Sequence, residues 1–496
     1  MGRWVLMSAR SLRDPAEAVL VGDDWVWVVS AGLPARDRPG SGFYRVPTLG
    51  VDGDRYHRHV RSPSVVSLFS GAGGLDHGFA SNGFEIKLAV DHDPDAVAVY
   101  QHNLGHAARV MDVRNPDFAE AVASVGSCDV LLGGFPCQGF SKAGPKREDD
   151  DRNSLYQAMI FGLAALRPAM FIAENVDGLS QNYSGGVLAQ IVGDCESQGY
   201  QVEWRIVDAA WFGVPQHRRR IVIVGVREDL KGLVKFDWPI ADHVPIDRNG
   251  ERSQVHAYPS WSSTGLVPAR TLASAIEGAA LASDHVLDGD RTERERLILR
   301  RIGPGQKLCN ARHDATSVRT WDIPHVFGAV TLRERDILET IARNRRHRKY
   351  GSIPNGNPLP LEVISSILGD EVLVEELESL KERRYVKRVD DRWDLRGAMF
   401  ASGSYKRPIA SSPSPTVLTS FNNPRFMAHP TEDRPFTVRE VARLQTFPDD
   451  FQFLSAGVSP QSAYRLIGNA VPPLLARKIA VAVWQSIHAS FTSLAA

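Results

Sequence analysis

The order of apolar segments in this chain of 496 residues predicts an α/β fold with a doubly wound, mostly parallel sheet. Short apolar runs rich in β-branched residues alternate with longer segments of helical periodicity, which is typical of sheets of this class. The composition, with 43% hydrophobic and 23% charged residues, can supply a sizeable core. The apolar runs predicted as strands span residues 65–69, 86–90, 129–132, 170–173 and 221–224, and a further strand, the third in chain order, is predicted before Asp112.

The length predicts more than one domain, because domains usually hold about 100–200 residues. Residues 1–62 contain one strand-like run before a connector rich in Pro, Gly and Arg, and are predicted to form an N-terminal extension. The strand–helix alternation occupies residues 63–235, fades over 236–430 and returns over 431–496. Within the third part, residues 331–400 contain two helical segments followed by two short strands, which is a winged-helix-like pattern.

The composition argues against several classes of protein. No apolar run approaches the length of about 18 residues that a membrane span requires, and the N-terminus lacks the apolar core of a secretory signal. The four cysteines are too few for a disulfide scaffold, and the absence of a Cys-x-x-Cys pair argues against structural zinc. We therefore expect a cytoplasmic protein with reduced thiols and no metal site.

A glycine-rich turn, Phe-Ser-Gly-Ala-Gly-Gly at 69–74, follows the first predicted strand and opens a helix. Glycine allows the backbone to turn tightly and to approach a ligand closely. Asp91 ends the second strand, 20 residues after Gly71, which is where an acidic residue accepts hydrogen bonds from ribose hydroxyls. Together these features predict a nucleoside cofactor. Asp112, after the third strand, is either a turn residue or an acceptor for an adenine amino group.

The ends of the later strands carry polar and nucleophilic residues, and ligands of such sheets bind at the carboxyl ends of the strands. Cys137 lies in a loop made rigid by proline, where a thiol is either a buried apolar group or a nucleophile. Glu174 follows the fifth strand and is either a structural cap or a group of the same site. Alternate residues on an extended chain share a face, so Gln216, Arg218 and Arg220 are predicted to point together into the cleft.

Charge is balanced over the whole chain, with 58 basic and 58 acidic residues, but it is unevenly distributed. Residues 291–349 contain 15 Lys and Arg against 7 Asp and Glu, a local excess of +8. Such a stretch is either a solvated helical face or a surface that binds phosphates.

Seven motifs, in this order, resemble those of the cytosine-5 DNA methyltransferases, and the resemblance covers residues 64–230 and 408–480. They are Phe-Ser-Gly-Ala-Gly-Gly-Leu at 69–75, Gly-Gly-Phe-Pro-Cys-Gln-Gly-Phe-Ser at 133–141, Glu-Asn-Val at 174–176, Val-Pro-Gln-His-Arg-Arg-Arg at 214–220, Pro-Ser-Pro-Thr-Val at 413–417, Arg-Glu-Val-Ala-Arg-Leu-Gln-Thr-Phe-Pro at 439–448 and Gly-Asn-Ala-Val-Pro at 468–472. The resemblance implies the Rossmann-like fold of S-adenosylmethionine-dependent methyltransferases, with a separate and smaller target-recognition domain.

The resemblance also implies roles for individual residues. Cys137 is expected to add to C6 of cytosine, Glu174 to hold or protonate N3, and Arg218 and Arg220 to stabilise the base. The residues expected to bind S-adenosylmethionine are Phe69, Ser70, Gly71, Ala72, Gly73, Gly74, Asp91, His92, Asp112, Val113, Pro136 and Asn469. The residues expected to contact DNA are Gln138, Ser141, Gln216, Arg343, Arg345, Arg346, Arg348 and Lys349.

The implied substrate is double-stranded DNA. The family places target recognition between the motifs at 214–220 and 413–417, and that interval contains the basic stretch, which favours phosphate contact over a solvated face. We expect a monomer in the bacterial cytoplasm, associated with the nucleoid and paired in function with a restriction endonuclease. The alternatives are methylation of tRNA, although Cys309 is followed by Asn-Ala rather than the Phe-Thr of that branch, and a catalytically silent DNA-binding regulator.

Overall fold

The structure is a computed structural model. It describes residues 61–136, 155–180, 186–244, 266–289, 291–353, 356–399 and 402–488, and by their backbone alone residues 489–493 and four strands before residue 61.

Contacts within the chain divide it into two units, Met1–Arg61 and Ser62–Ala496. The first unit holds a four-stranded antiparallel sheet in which the strands follow one another in chain order. Its strands are β1 (Val5–Met7), β2 (Glu17–Gly22), β3 (Trp25–Ser30) and β4 (Tyr44–Val46). The sequence predicted one strand here, in the place of β3.

The second unit is built around a seven-stranded sheet. Its strands are β5 (Ser64–Leu68), β6 (Glu85–Asp91), β7 (Ala108–Val110), β8 (Val130–Gly133), β9 (Met170–Val176), β10 (Tyr200–Asp208) and β11 (Arg219–Arg227). They lie in the order β10-β11-β9-β8-β5-β6-β7. The five strands from β9 to β7 in this order are parallel, whereas β11 runs antiparallel to both β9 and β10. This confirms the predicted fold class.

Helices cover both faces of this sheet. The first five are α1 (Gly74–Ala80), α2 (Pro94–Leu104), α3 (Pro116–Val125), α4 (Gln157–Leu166) and α5 (Gly186–Ser197). Neighbouring strand residues point to opposite faces, and both faces are buried. Val65 belongs to one hydrophobic core, whereas Val66 belongs to the core that packs against α3, α4 and α5. Burial on both faces explains why these strands are continuous apolar runs.

The chain between the two parts of the sheet domain forms short elements. They are β12 (His243–Val244), β13 (Val267–Pro268), α6 (Leu272–Ile276), α7 (Glu293–Arg301), β14 (Lys307–Leu308), β15 (Ser317–Val318) and α8 (Pro324–Phe327). The strands pair in parallel as two separate two-stranded sheets, β12 with β13 and β14 with β15.

A cluster of helices and short strands with its own hydrophobic core follows. Its elements are α9 (Leu332–Asn344), β16 (Leu359–Pro360), α10 (Leu361–Leu368), α11 (Val374–Glu382), β17 (Val386–Val389) and β18 (Arg392–Leu395). The three strands form an antiparallel sheet in the order β16-β18-β17. Trp393, Ile337 and Leu380 are among the buried residues of this core. The domain boundaries drawn from the sequence stay a prediction.

The last three helices return the chain to the sheet. They are α12 (Val438–Leu444), α13 (Pro460–Asn469) and α14 (Pro473–Ser493). Helix α14 packs closely on α1, because a Cβ atom on Gly78 would lie 2.5 Å from the Cβ of Ala476.

Within the described residues, one helical stretch, Pro460–His488, is long and apolar enough to cross a membrane by its length and composition. However, 72% of its most apolar window is buried inside the molecule. Leu475, Ile479 and Val483 of this stretch lie in the core beside the sheet, so its hydropathy has an explanation in the fold.

Candidate active site

A cavity of about 600 Å³ lies at the carboxyl ends of β5, β6, β8 and β9, and the end of α13 forms part of its wall. Open α/β sheets bind their ligands at this edge. Eleven of the twelve residues expected to bind the cofactor line the cavity, and Gly73 does not. The eleven are Phe69, Ser70, Gly71, Ala72, Gly74, Asp91, His92, Asp112, Val113, Pro136 and Asn469.

The turn after β5 has the backbone geometry for which glycine is suited. Gly71 and Gly73 have φ values of 54° and 88°, and Phe69, with a φ of 57°, is a non-glycine residue in the same left-handed region. Such residues cost about 1–3 kcal/mol and tend to occur at functional sites. A Cβ atom on Gly74 would lie 2.4 Å from the carbonyl oxygen of Val471, so the close approach of the two segments requires glycine there.

Asp91 is held at the cavity by backbone groups. Its Oδ2 accepts a hydrogen bond of 2.8 Å from the Gly71 N–H, and its Oδ1 accepts one of 2.9 Å from the Asp93 N–H. These bonds connect the glycine turn to the end of β6. They also orient the Asp91 carboxylate at the cavity wall, where its oxygens can accept a hydrogen bond from a ligand hydroxyl.

Asp112 lies further along the same wall, beyond β7. The guanidinium group of Arg114 donates to both of its carboxylate oxygens, at 2.9 Å from Nε and 2.5 Å from Nη2. These side-chain bonds, with the Arg114 backbone N–H, lower the pKa of Asp112 to about 2. The carboxylate is therefore ionised at neutral pH and remains an acceptor.

The cavity also contains a buried hydroxyl group that lacks a partner. Ser70 Oγ is buried and makes no hydrogen bond with any residue that the structure describes. Buried polar groups are normally satisfied, so this hydroxyl fits a site whose remaining partner is a ligand. Together with the two carboxylates and the close-packed glycines, it fits a nucleoside cofactor.

Glu174 and Arg220 form an ion pair at another part of the same cavity. They lie on the neighbouring strands β9 and β11, and Arg220 Nε is 2.9 Å from Glu174 Oε1. Both side chains are largely buried. The pair lacks hydrogen-bond alignment, and Glu174 Oε1 accepts no hydrogen bond from the described residues. It can therefore accept one from a ligand.

The loop that leads to Cys137 is fixed from β9. Asn175 Nδ2 donates a hydrogen bond of 3.0 Å to the carbonyl oxygen of Phe135. Pro136, the last described residue before the loop, lines the cavity. The predicted site residues Cys137, Gln138 and Ser141 lie outside the described residues. The sequence identified Glu-Asn-Val as a motif but did not assign this role to Asn175.

Arg218 lines the cavity together with Arg220, but its guanidinium group also binds the backbone of the returning chain. It is 1% exposed, and its guanidinium group donates to the carbonyl oxygens of Val417, Gly468 and Ala470 at 2.8–3.0 Å. Burial, followed by the positive charge of Arg220, lowers the pKa of Arg218. These bonds join the residue before β11 to the segment that carries Asn469, so Arg218 positions that segment. Its contact with a base stays a prediction.

The prediction that Gln216 contacts DNA is wrong for this structure. Gln216 is fully buried, and its Nε2 donates to Leu444 O at 2.8 Å and to Gln445 Oε1 at 2.6 Å. Its Oε1 accepts from the Val417 N–H at 3.0 Å. The returning chain covers Gln216 completely, whereas Arg218 lines the cavity beside Arg220.

The prediction that Arg345 contacts a phosphate is also wrong. Arg345 is 3% exposed, and its Nε and Nη2 donate to the two carboxylate oxygens of Asp394 at 2.7 and 3.0 Å. A bidentate buried pair of this kind holds α9 to β18. Of the other residues expected to bind DNA in this stretch, Arg343, Arg346, Arg348 and Lys349 are exposed. We refer to these four residues as the basic surface.

One acidic residue beneath the cavity has no counterpart in the expected site. Asp76 on α1 lies against the cavity and is fully buried. It was not singled out in the sequence because it follows the glycine turn as one more residue of an amphipathic helix. Asp76 belongs to none of the seven motifs, and only its complete burial in the structure distinguishes it from other helical residues.

Comparison with known proteins agrees with this geometry. A family model described as C-5 cytosine-specific DNA methylase matches residues 64–286 and 292–485. Type II methyltransferase M.AgeI of Thalassovita gelatinovora is 31% identical over 456 residues, covering 84% of this chain and 98% of the relative. Type II methyltransferase M.NgoFVII of Neisseria gonorrhoeae is 29% identical over 414 residues, covering 83% of each chain. Among solved structures, the S. pombe Dnmt2 methyltransferase has a TM-score of 0.43 and 16% identity, and the match covers 86% of this chain and 99% of that one.

Proposed function

Because the chain belongs to the C-5 cytosine-specific DNA methylase family, we propose that it transfers a methyl group from S-adenosylmethionine to C5 of a cytosine in a specific duplex DNA sequence. The observation that carries this proposal is the pairing of Glu174 and Arg220 in the same cavity as Asp91 and Asp112, next to the residue that precedes Cys137. The cavity thus combines acceptors for a nucleoside with groups for a base.

The cysteine is required because C5 of cytosine is a poor nucleophile. When the Cys137 thiolate forms a bond to C6, electron density moves to C5, which becomes enamine-like. S-adenosylmethionine supplies an electrophilic methyl group when bound. The C5 proton then passes to a base, the C5–C6 double bond forms again, and the thiolate leaves. The cytosine ring ends with a methyl group in place of the proton.

Glu174 and Arg220 act on the charge that develops in the ring. Addition at C6 places negative charge on the N3 side of cytosine, and Glu174 holds or protonates N3 there. Arg220 keeps the carboxylate oriented through their 2.9 Å contact. Since these groups cannot reach a base inside a duplex, the cytosine must be flipped out of the helix.

DNA outside the target base is bound by the basic surface. Arg343, Arg346, Arg348 and Lys349 are exposed and close together in the chain at the end of α9. Contacts from such residues to phosphates position the protein without specifying a sequence. The similarity of this chain to Type II methyltransferases supports a role in a restriction–modification system. We propose that the protein acts as a monomer in the cytoplasm, on nucleoid DNA and beside a cognate endonuclease.

The test uses Cys137→Ser, with Cys195→Ser as the control because Cys195 is buried on α5 away from the cavity. Labelled methyl groups from S-adenosylmethionine should enter duplex DNA with the wild type and the control, and not with Cys137→Ser. The wild type should also be trapped covalently on DNA containing 5-fluorocytosine, since fluorine cannot leave as a proton. Undiminished activity in Cys137→Ser would overturn the mechanism.

The nature of the substrate is tested in the same assay by offering tRNA beside duplex DNA. Label that enters tRNA alone would replace the proposal with RNA methylation. Failure to label either nucleic acid, with retained DNA binding, would indicate a silent DNA-binding protein. Bisulfite sequencing of DNA from cells that express the protein would then identify the methylated sequence.

A further inference from the structure

The buried carboxylate of Asp76 is held by two hydroxyl groups. Ser67 Oγ donates to Asp76 Oδ2 at 2.9 Å, and Tyr100 OH donates to Asp76 Oδ1 at 3.0 Å. All three side chains are almost completely excluded from solvent. They belong to β5, α1 and α2, so they lie where these elements meet under the floor of the cavity.

This carboxylate lacks a positive partner. No basic side chain that the structure describes forms an ion pair with it, and the charged group that acts on it is Asp91, another acid. Burial is the main cause that raises the pKa of Asp76 to about 6, although the hydrogen bonds from Ser67 and Tyr100 oppose the shift. At a pH near 7.5 the carboxylate is therefore ionised inside the protein with two hydrogen bonds but no ion-pair partner, which is costly unless a cation binds beside it.

The order of the strands indicates which part of a ligand would supply a positive charge beside Asp76. In the sheet order β9-β8-β5-β6-β7, the nucleoside acceptors Asp91 and Asp112 lie at β6 and beyond β7. The groups proposed for the base, Glu174 and the loop after β8, lie on the other side of β5. A methyl donor that spans both must carry its reactive centre between them, over β5. Asp76 is hydrogen-bonded to Ser67 of β5.

We propose that Asp76 is the buried counter-charge for the sulfonium group of S-adenosylmethionine and makes the site prefer the charged methyl donor over its neutral product. This inference rests on the proposed function. Loss of the methyl group converts the sulfonium into an uncharged thioether, so the attraction disappears when transfer is complete. Asp76 would therefore favour binding of the donor and release of the product S-adenosylhomocysteine.

A purely structural role for Asp76 would have a different signature. If its hydrogen bonds serve only to hold β5, α1 and α2 together, the loss of these bonds weakens binding of donor and product alike. An electrostatic role affects only ligands that carry the positive charge. The ratio of the two affinities therefore separates the two roles.

The experiment measures the dissociation constants of S-adenosylmethionine, S-adenosylhomocysteine and sinefungin by calorimetry at about pH 8. Sinefungin carries an amine-bearing carbon in place of the sulfonium and is also cationic. Asp76→Asn should lose about tenfold in affinity for the two cationic ligands, which corresponds to about 1.4 kcal/mol, and little for the product. The control Ser67→Ala removes a hydrogen bond from the same cluster and keeps the charge, so it should leave the ratio unchanged.

Equal losses for all three ligands in Asp76→Asn, or no loss, would overturn the inference. A wild type that binds neither donor nor product would instead contradict the proposed function, so the two failures are distinguishable.

If Asp76→Asn does not fold, the wild type provides the test through the pH dependence of the same ratio. The groups that face Asp76 are Ser67 on β5, Tyr100 on α2 and Asp91 on β6. The preference for the donor should fall as the pH is lowered through about 6, where Asp76 gains a proton. A preference that stays constant down to about pH 4.5, and falls only where unperturbed carboxylates titrate, would contradict the inference.

Discussion

At the scale of single residues, Asp91 is oriented by the N–H groups of Gly71 and Asp93 before any ligand is present. Preorganisation of this kind lets an acceptor bind a hydroxyl without first losing side-chain freedom. Since the same bonds connect β6 to the glycine turn, the residue proposed to bind the ribose also supports the shape of the cavity. Its position at a strand end was readable from the sequence.

We expect Asp91→Ala to weaken S-adenosylmethionine binding by about 1.5–3 kcal/mol, the range for hydrogen bonds to charged groups. Binding of DNA without cofactor should be unaffected. Calorimetry with the cofactor and a DNA mobility assay would measure the two effects. Asp117→Ala is a suitable control, because Asp117 is an exposed carboxylate of α3 outside the cavity. An unchanged cofactor affinity in Asp91→Ala would show that the strand-end assignment is wrong.

The residues assigned wrongly from the sequence share one physical cause. The spacing of Gln216, Arg218 and Arg220 correctly indicates side chains on alternating positions, but it does not show which face another part of the chain covers. Gln216 is covered by residues 417–445, more than 190 positions further along. Arg345 is likewise buried by Asp394, 49 residues away. Burial by distant segments is what the local pattern cannot supply.

At the scale of elements, the strands found most easily are those buried on both faces. β5 and β8 are completely buried and were predicted to within one or two residues. β10 was missed because one face is partly exposed, so its sequence mixes Gln, Glu and Arg with apolar residues. α9 was not predicted, because this segment was interpreted by its positive charge rather than by its apolar residues. Its buried residues Ile337, Leu338 and Ile341 do have helical spacing.

The basic residues of α9 and of the segment that follows it divide into two groups. Arg333 pairs with Asp370 and Glu376, and Arg335 pairs with Asp322, so these charges of the first turns of α9 are used within the protein. The basic surface lies at the other end of α9. The neighbouring helix α11 contains four glutamates against one lysine, which makes it unsuited to approach phosphates.

Replacing the four residues of the basic surface with Gln should weaken binding to cognate and random duplexes alike. The slope of log affinity against log salt should decrease by about 0.9 for each phosphate that the protein no longer neutralises. Arg333→Gln with Arg335→Gln, which removes charge from the other end of the same helix, should leave the slope unchanged. Fluorescence anisotropy over a range of salt concentrations measures both variants.

The methylated sequence should survive these changes, because phosphate contacts position the protein and base contacts specify the site. A changed sequence would mean that some of the four residues read base edges. An unchanged slope with wild-type affinity would instead indicate a solvated surface.

At the scale of the whole molecule, the fold could be predicted further than the site. The order of apolar runs and the ordered motifs lead to the parallel sheet and the family. They do not reveal that the returning chain completes the cavity with α13, nor that Arg218 and Gln216 form the connection. The same C-terminal segment contains a second buried acidic residue, Glu440 on α12.

Glu440 and Asp76 respond to pH in opposite directions. Burial would raise the pKa of Glu440, but hydrogen bonds from Arg434, His429 and the Thr437 N–H outweigh it and hold the pKa well below its usual range. Glu440 therefore stabilises the fold above the pKa of an unfolded Glu, and this contribution is lost as the pH falls. Asp76, with a pKa raised to about 6, contributes stability below the unfolded value of 3.8 that is lost as the pH rises through 6.

Two isosteric variants of the ligand-free protein test this balance by urea unfolding at several pH values. Relative to the wild type, the free energy of unfolding of Asp76→Asn should rise by roughly 3 kcal/mol from about pH 3.5 to about pH 7.5, because the wild type alone loses the contribution of Asp76. Glu440→Gln should show the opposite trend, with a deficit that grows as the pH rises towards about 4.5 and is constant above it. Below that pH the unfolded wild type holds a proton on Glu440 that the folded protein has already lost. Replacement of Asp117 by Asn provides the baseline for an exposed carboxylate. A difference between Asp76→Asn and the wild type that does not change with pH would mean that Asp76 keeps an ordinary pKa, and the charge of its buried carboxylate would then already be compensated within the protein.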